Sequence, residues 1–155
     1  MQMSMAFQDF YPETFSHCYG CGRSNPDGLH LKSYWNGEGT IARFAPAAKF
    51  SGGVPDHVYG GMIASLIDCH GTASAAAFAY RAEGREMGDG GAAIRYVTGS
   101  LKVDYLRPTP LGVELVIEGT CVAIDGRKTT VGLTLSAGGV LCARGEMLAV
   151  RFREA

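Results

Sequence analysis

Between Asp56 and Arg81 the chain carries a single charged side chain, Asp68. Set at 100° per residue, the stretch Gly60 to Arg81 reads as one long helix with two unlike faces. Met62, Ile63, Leu66, Ile67, Ala73, Ala77 and Tyr80 share the bulky face, which is expected to pack on a sheet. Gly61, Ala64, Ser65, Asp68, Thr72, Ala75 and Ala79 share the other, where small residues invite close approach. A helix this poor in charge has no solvated face. It must be wrapped by a sheet, or covered on its second face by a partner.

The flanking segments supply the sheet. Met1 to Phe15 reads as an irregular or short helical arm, and His17 to Gly28 as a loop punctuated by Gly, Asn and Pro. Leu29 to Trp35 and Thr40 to Phe44 read as strands joined at Asn36-Gly37. After the helix, Ala93 to Arg107 is one long strand whose alternation changes phase at Gly99, which predicts a bulge. Pro108 and Pro110 end it. Val113 to Ile124 and Lys128 to Ser136 flank an Asp125-Gly126-Arg127 turn, and Gly138-Gly139 turns the chain into Val140 to Phe152. The order is two strands, one helix, four strands: an α+β chain whose antiparallel sheet curls around a central helix. One domain over residues 1–155 is expected, with 1–16 as its arm.

Composition narrows the function classes. Fourteen basic against fifteen acidic residues give a net charge of −1, without the basic excess of a nucleic-acid binder. The weakly charged stretch Val58 to Tyr80 is interrupted by Asp68, His70 and Thr72, so no membrane span is expected. Met1 to Phe15 has no Lys or Arg and does not read as a secretory signal. Five cysteines are too few and too scattered for a disulfide scaffold, so reduced thiols and a cytoplasmic location are expected. Cys18-x2-Cys21 has no second pair to complete a zinc site, so no metal is expected. Cys69 and His70 are adjacent on the helix and point apart. Both read as core residues. No Gly-x-Ser-x-Gly elbow occurs, and Gly88 to Ala93 precedes a strand instead of opening a helix, which excludes a dinucleotide loop.

Two features carry chemistry. Asp68 is either a hydrogen-bonded structural carboxylate or a general base or nucleophile. Gly60-Gly61 opens the helix, where amide N–H groups lack intrahelical partners and could polarise a carbonyl. The same pair could equally serve a tight turn. Eight residues separate Gly60 from Asp68, about 12 Å along the axis.

Val58-Tyr59-Gly60-Gly61-Met62-Ile63-Ala64-Ser65-Leu66-Ile67-Asp68 resembles the His-Gly-Gly-x6-Asp signature of hotdog-fold acyl-CoA thioesterases, of the phenylacetic-acid-degradation and thioesterase superfamily member four-like kinds. Cys18 to Gly22 with Asn25 to Leu29, and Leu101 to Pro108, resemble two further stretches of that family. The resemblance implies a hotdog fold. It also implies Gly60 N–H as the carbonyl-polarising group, Asp68 as the helix acid, and Thr98 as the strand hydroxyl, often supplied by the other subunit. The motif's His is Tyr59 here. His57, two residues earlier, is the imidazole available on that side.

The implied reaction is hydrolysis of an acyl-CoA thioester to free acid and CoA, with no cofactor beyond the substrate's own CoA. A homodimer or dimer of dimers is expected. Tyr59, Gly61 and Phe50 are candidates to line the acyl site, and Arg107, Arg127 and Lys128 to meet the nucleotide phosphates. The rival readings are an acyl-CoA-binding protein without catalysis and an enoyl-CoA hydratase-like enzyme.

Overall fold

The computed structural model describes residues 4–153; Met1–Met3, part of the expected arm, lie outside them, as do Glu154 and Ala155. The charge-poor stretch is one helix, α1 (Gly60–Ala82). Two strands precede it, β1 (Ser33–Asn36) and β2 (Gly39–Phe44). Four follow: β3 (Tyr96–Tyr105), β4 (Leu115–Asp125), β5 (Lys128–Ala137) and β6 (Val140–Arg151). They form one six-stranded antiparallel sheet in the order β1-β2-β4-β5-β6-β3. A sheet curled on one long helix is the hotdog fold, as the sequence led us to expect.

The period of two along β4, β5 and β6 puts Leu115, Ile117, Val131, Leu133, Leu135, Ala143 and Met147 on the inner face, all buried in the same core as α1. The helix answers with Met62, Leu66 and Ile67, each at most 1% exposed. Burial of each such side chain is worth about 1.5–3 kcal/mol. From Cys69 to Tyr80 every residue of α1 is buried, because the chain covers this half of the helix itself. Phe7, from a 3-10 turn at Phe7–Phe10, packs on Ala73 and Ala77. Those two alanines therefore meet the arm, although their spacing had placed them on the sheet side. Of the small-residue face, Gly61, Ala64, Ser65 and Asp68 retain solvent access, while Thr72, Ala75 and Ala79 do not.

A polar network fastens α1 to the two first strands. His70, fully buried, sits 2.8 Å from Ser33 Oγ at Nδ1 and 3.0 Å from Thr40 Oγ1 at Nε2. Thr40 Oγ1 is 2.6 Å from Ser74 Oγ, and Gln8 Nε2 donates to Ser33 Oγ. Because Ser33 receives that proton, its own hydroxyl is free to donate to Nδ1. Nε2 then carries the imidazole proton and gives it to Thr40. Burial holds the imidazolium pKa down to about 4. His70 is thus a satisfied core histidine, as read from its position.

Three boundaries differ from expectation. The first strand begins at Ser33, not Leu29, because Leu29 and Leu31 donate their N–H groups to Tyr19 and Gly20 in the preceding loop. The β1–β2 turn falls on Gly37-Glu38, one residue later than placed, with Gly37 at φ 63°. The long strand is trimmed to Tyr96–Tyr105; Ile94 N–H is taken by the Tyr80 hydroxyl. The predicted bulge is present, with the β3–β6 register shifting between Thr98 and Ser100. Gly138 and Gly139 both have positive φ, 56° and 79°, in the hairpin between β5 and β6. No helix among the described residues is long and apolar enough to cross a membrane.

Candidate active site

The bulge at Gly99 and the solvent-accessible half of α1 converge. Thr98, just before the bulge, donates its hydroxyl to Asp68 Oδ1 at 2.5 Å. Asp68 is half-buried and Thr98 exposed, so the pair sits at the rim of the core, open to a ligand. Both belong to the same chain. Within one chain, β3 lies close enough to its own helix for Thr98 to reach Asp68. An ionised carboxylate only accepts hydrogen bonds. With Oδ1 engaged by Thr98, Oδ2 can take a proton from a water, while the threonine oxygen retains lone pairs to hold that water's second hydrogen.

The helix start is the second half of the site. Tyr59 occupies the N-cap position without a side-chain capping bond, and Gly60 and Gly61 are exposed. The first amides of α1 are thus left to a ligand, at the positive end of the helix dipole. Aromatic rings press on both glycines. A Cβ on Gly61 would lie 2.5 Å from the Tyr59 ring, and one on Gly60 would touch the Tyr105 ring at 3.4 Å. Tyr105 also donates its hydroxyl to the Gly60 carbonyl at 2.8 Å. Phe50 stacks on Tyr59 with centroids 6.5 Å apart. Phe50, Tyr59 and Tyr105 thus frame the open amides with apolar surface. Tyr105 was missed in the sequence. The available signal was its place in the Leu101, Val103, Tyr105 alternation, which turns it toward the helix.

The other candidates separate. Arg107 lines a shallow cleft of about 270 Å³ with Gly60, Tyr105 and Pro108. Arg127 and Lys128 lie at the β4–β5 hairpin, where Arg127 Nη2 donates to the Arg151 carbonyl. Through the pairings Tyr96–Arg151 and Thr98–Ala149 that hairpin belongs to the Thr98 end of the sheet, opposite Arg107. His57 is not joined to Asp68 or Thr98; its Nδ1 meets the Pro55 carbonyl at 3.1 Å, closing a local turn. Gly60 and Asp68 stand eight residues apart on a continuous helix, about 12 Å along the axis.

Comparison with known proteins places the chain in a family. The profile of the Thioesterase superfamily matches residues 56–143, which span α1 and most of the strands after it. A Thioesterase superfamily protein from Shewanella loihica PV-4 is 45% identical, with 92% of this chain and 100% of that one covered at a TM-score of 0.69. The PaaI protein of the E. coli phenylacetic acid degradation operon is 14% identical over 82% of this chain and 83% of its own, at a TM-score of 0.65. A Streptococcus mutans protein whose structure holds acetyl-CoA is 18% identical over 78% of this chain and 86% of its own, at 0.62. No curated protein matches the chain. A profile match over more than half the length, and a relative of this identity covered end to end, make the chain a member of the thioesterase superfamily.

Proposed function

We propose that the protein hydrolyses acyl-CoA thioesters to the free acid and CoA, as a homodimer. The observation that carries this reading is the Thr98–Asp68 hydrogen bond beside a helix whose first amides are open. Gly60 N–H polarises the thioester carbonyl. Asp68 takes a proton from the water that Thr98 helps hold, and the water oxygen attacks the carbonyl carbon. Collapse of the tetrahedral intermediate breaks the C–S bond, and the proton held on Asp68 passes to the departing thiolate. Two solved relatives of the same fold hold acetyl-CoA or CoA, which supports CoA as the carrier.

A homodimer would bridge the roughly 12 Å between Gly60 and Asp68. β3 is a ten-residue sheet edge, largely exposed, with Val97 and Tyr105 at 42% and 53% accessibility. Long edges of this kind are covered in native proteins. If β3 pairs antiparallel with its own copy across a two-fold axis, the Tyr105 end of one strand meets the Thr98 end of the other. That brings the Gly60 half-site of one chain to the Asp68 half-site of its partner. The same operation puts Arg107 at the same end of the joined sheet as the other chain's Arg127 and Lys128, basic groups for nucleotide phosphates.

The test is thiol release from a panel of acyl-CoAs, read with a chromogenic disulfide. Asp68→Ala abolishes turnover while the fold stays intact by circular dichroism, and Asp68→Asn binds acyl-CoA without cleaving it. Near-normal turnover by Asp68→Ala rules the mechanism out. Saturable binding by the wild-type chain with no thiol release would leave a binding protein instead.

A further inference from the structure

The sequence showed only a Cys-x2-Cys pair; the fold adds a third thiol. Cys18, Cys21 and Cys69 place their sulfur atoms within 4.8 Å of one another. Cys69 belongs to α1, next to Asp68, and the other two to the loop that crosses it. The loop is built for this approach: a Cβ on Gly20 would lie only 2.2 Å from the Cys69 sulfur. The turn is held by Gly22 N–H donating to the Cys18 carbonyl at 2.8 Å.

We propose that these three cysteines form a binding site for one thiophilic divalent cation, Zn²⁺, which pins the N-terminal loop to the catalytic helix. The spacing suits the ion. With Zn–S bonds of about 2.3 Å, the edge of a tetrahedral thiolate site is about 3.8 Å. Cys18 and Cys69 already stand 3.7 Å apart. Cys21 and Cys69 are buried and Cys18 half-buried, which leaves a way in from solvent.

A second observation points to a ligand independently. The Tyr11 hydroxyl is buried without a hydrogen-bond partner, and Arg95 Nη1 is buried in the same condition. The Arg95 guanidinium lies 5.4 Å over the Tyr11 ring. Both lie in the neighbourhood of the three thiols. Orphaned buried polar groups are costly. A cation bound by three thiolates carries one net negative charge, which Arg95 offsets, and a water can fill its fourth position.

The experiment uses the full chain, reduced with a phosphine and desalted after incubation with Zn²⁺ or Co²⁺. About one Zn²⁺ per chain should be released by a thiol-blocking mercurial and counted with a chromogenic chelator. Co²⁺ should give near-ultraviolet thiolate charge-transfer absorption and the red bands of tetrahedral coordination. Cys69→Ser and Cys18→Ser, both checked for fold by circular dichroism, should weaken Zn²⁺ binding by about 100-fold or more. Cys121→Ser, at an exposed thiol outside the cluster, should bind as the wild type does. A reduced wild-type chain that retains neither ion overturns the proposal. So does a folded Cys18→Ser chain that binds as tightly as Cys121→Ser.

Discussion

Replacing Thr40 by Val removes one hydroxyl and almost no volume, at a residue 1% exposed. That hydroxyl serves His70 Nε2 at 3.0 Å and Ser74 Oγ at 2.6 Å. Each buried group left without a partner costs about 1–3 kcal/mol. Ser74 can recover by turning its hydroxyl to the carbonyl four residues back in the helix, as buried helical serines do. His70 cannot, since its other nitrogen is held by Ser33. The net loss is therefore about 2–3 kcal/mol, dominated by the unpaired imidazole N–H. For a chain of this length that lowers Tm by about 4–12 °C. Urea titration should show the midpoint falling at constant m, the mark of lost stability without a change in the unfolded chain. Thr40→Ser keeps the hydroxyl and should lose about 1 kcal/mol or less, and exposed Thr120→Val should stay within about 0.5 kcal/mol of the wild type. If Thr40→Val is no worse than Thr120→Val, the network does not fasten α1 to the sheet.

Mixing two inactive variants tests where the half-sites meet. Gly60→Pro removes the amide proton at the first helical position, which tolerates proline, and Tyr59 before it already has the extended φ −69°, ψ 148° that proline demands. If sites form across the dimer, co-refolding Gly60→Pro with Asp68→Ala restores about one quarter of wild-type activity, since half the dimers are mixed and each has one intact site; no recovery in a mixed dimer shows that each site lies within one chain. Thr98→Val should lower kcat by about 10–100-fold with little change in KM, and Thr98→Ser should retain most activity; unchanged kcat in Thr98→Val removes the hydroxyl from the mechanism. Arg107→Ala should raise KM for acyl-CoA, more at low salt than at high, with kcat unchanged; a salt-independent KM places the phosphates elsewhere. His70 remains neutral in the fold down to about pH 4, while the unfolded chain protonates it near 6.5. Its contribution to stability is complete above pH 6.5 and is lost as pH falls toward 4, about 3 kcal/mol in all; a His70→Gln chain with the same acid slope contradicts this.

The sequence by itself determined the fold. A helix whose only charge before its last turn is Asp68 forces a wrapping sheet, and the phase change at Gly99 fixed the bulge that presents Thr98. The Asp-Gly and Gly-Gly turns fixed the hairpins. These are local consequences of periodicity and backbone freedom, legible without neighbours. What only tertiary structure decided depends on which segments come to lie together. Leu29 to Lys32 has strand-like residues, yet its amides go to the Tyr19–Gly20 loop instead of the sheet. Ala73 and Ala77 meet Phe7, because the arm folds back over the helix. Tyr105 reaches the Gly60 carbonyl from 45 residues away, and Cys69 joins a pair 48 and 51 residues earlier. Periodicity encodes the face a residue occupies. It does not encode what another part of the chain sets against that face, and here that includes the Tyr105 hydroxyl on the Gly60 carbonyl and the third thiol beside Asp68.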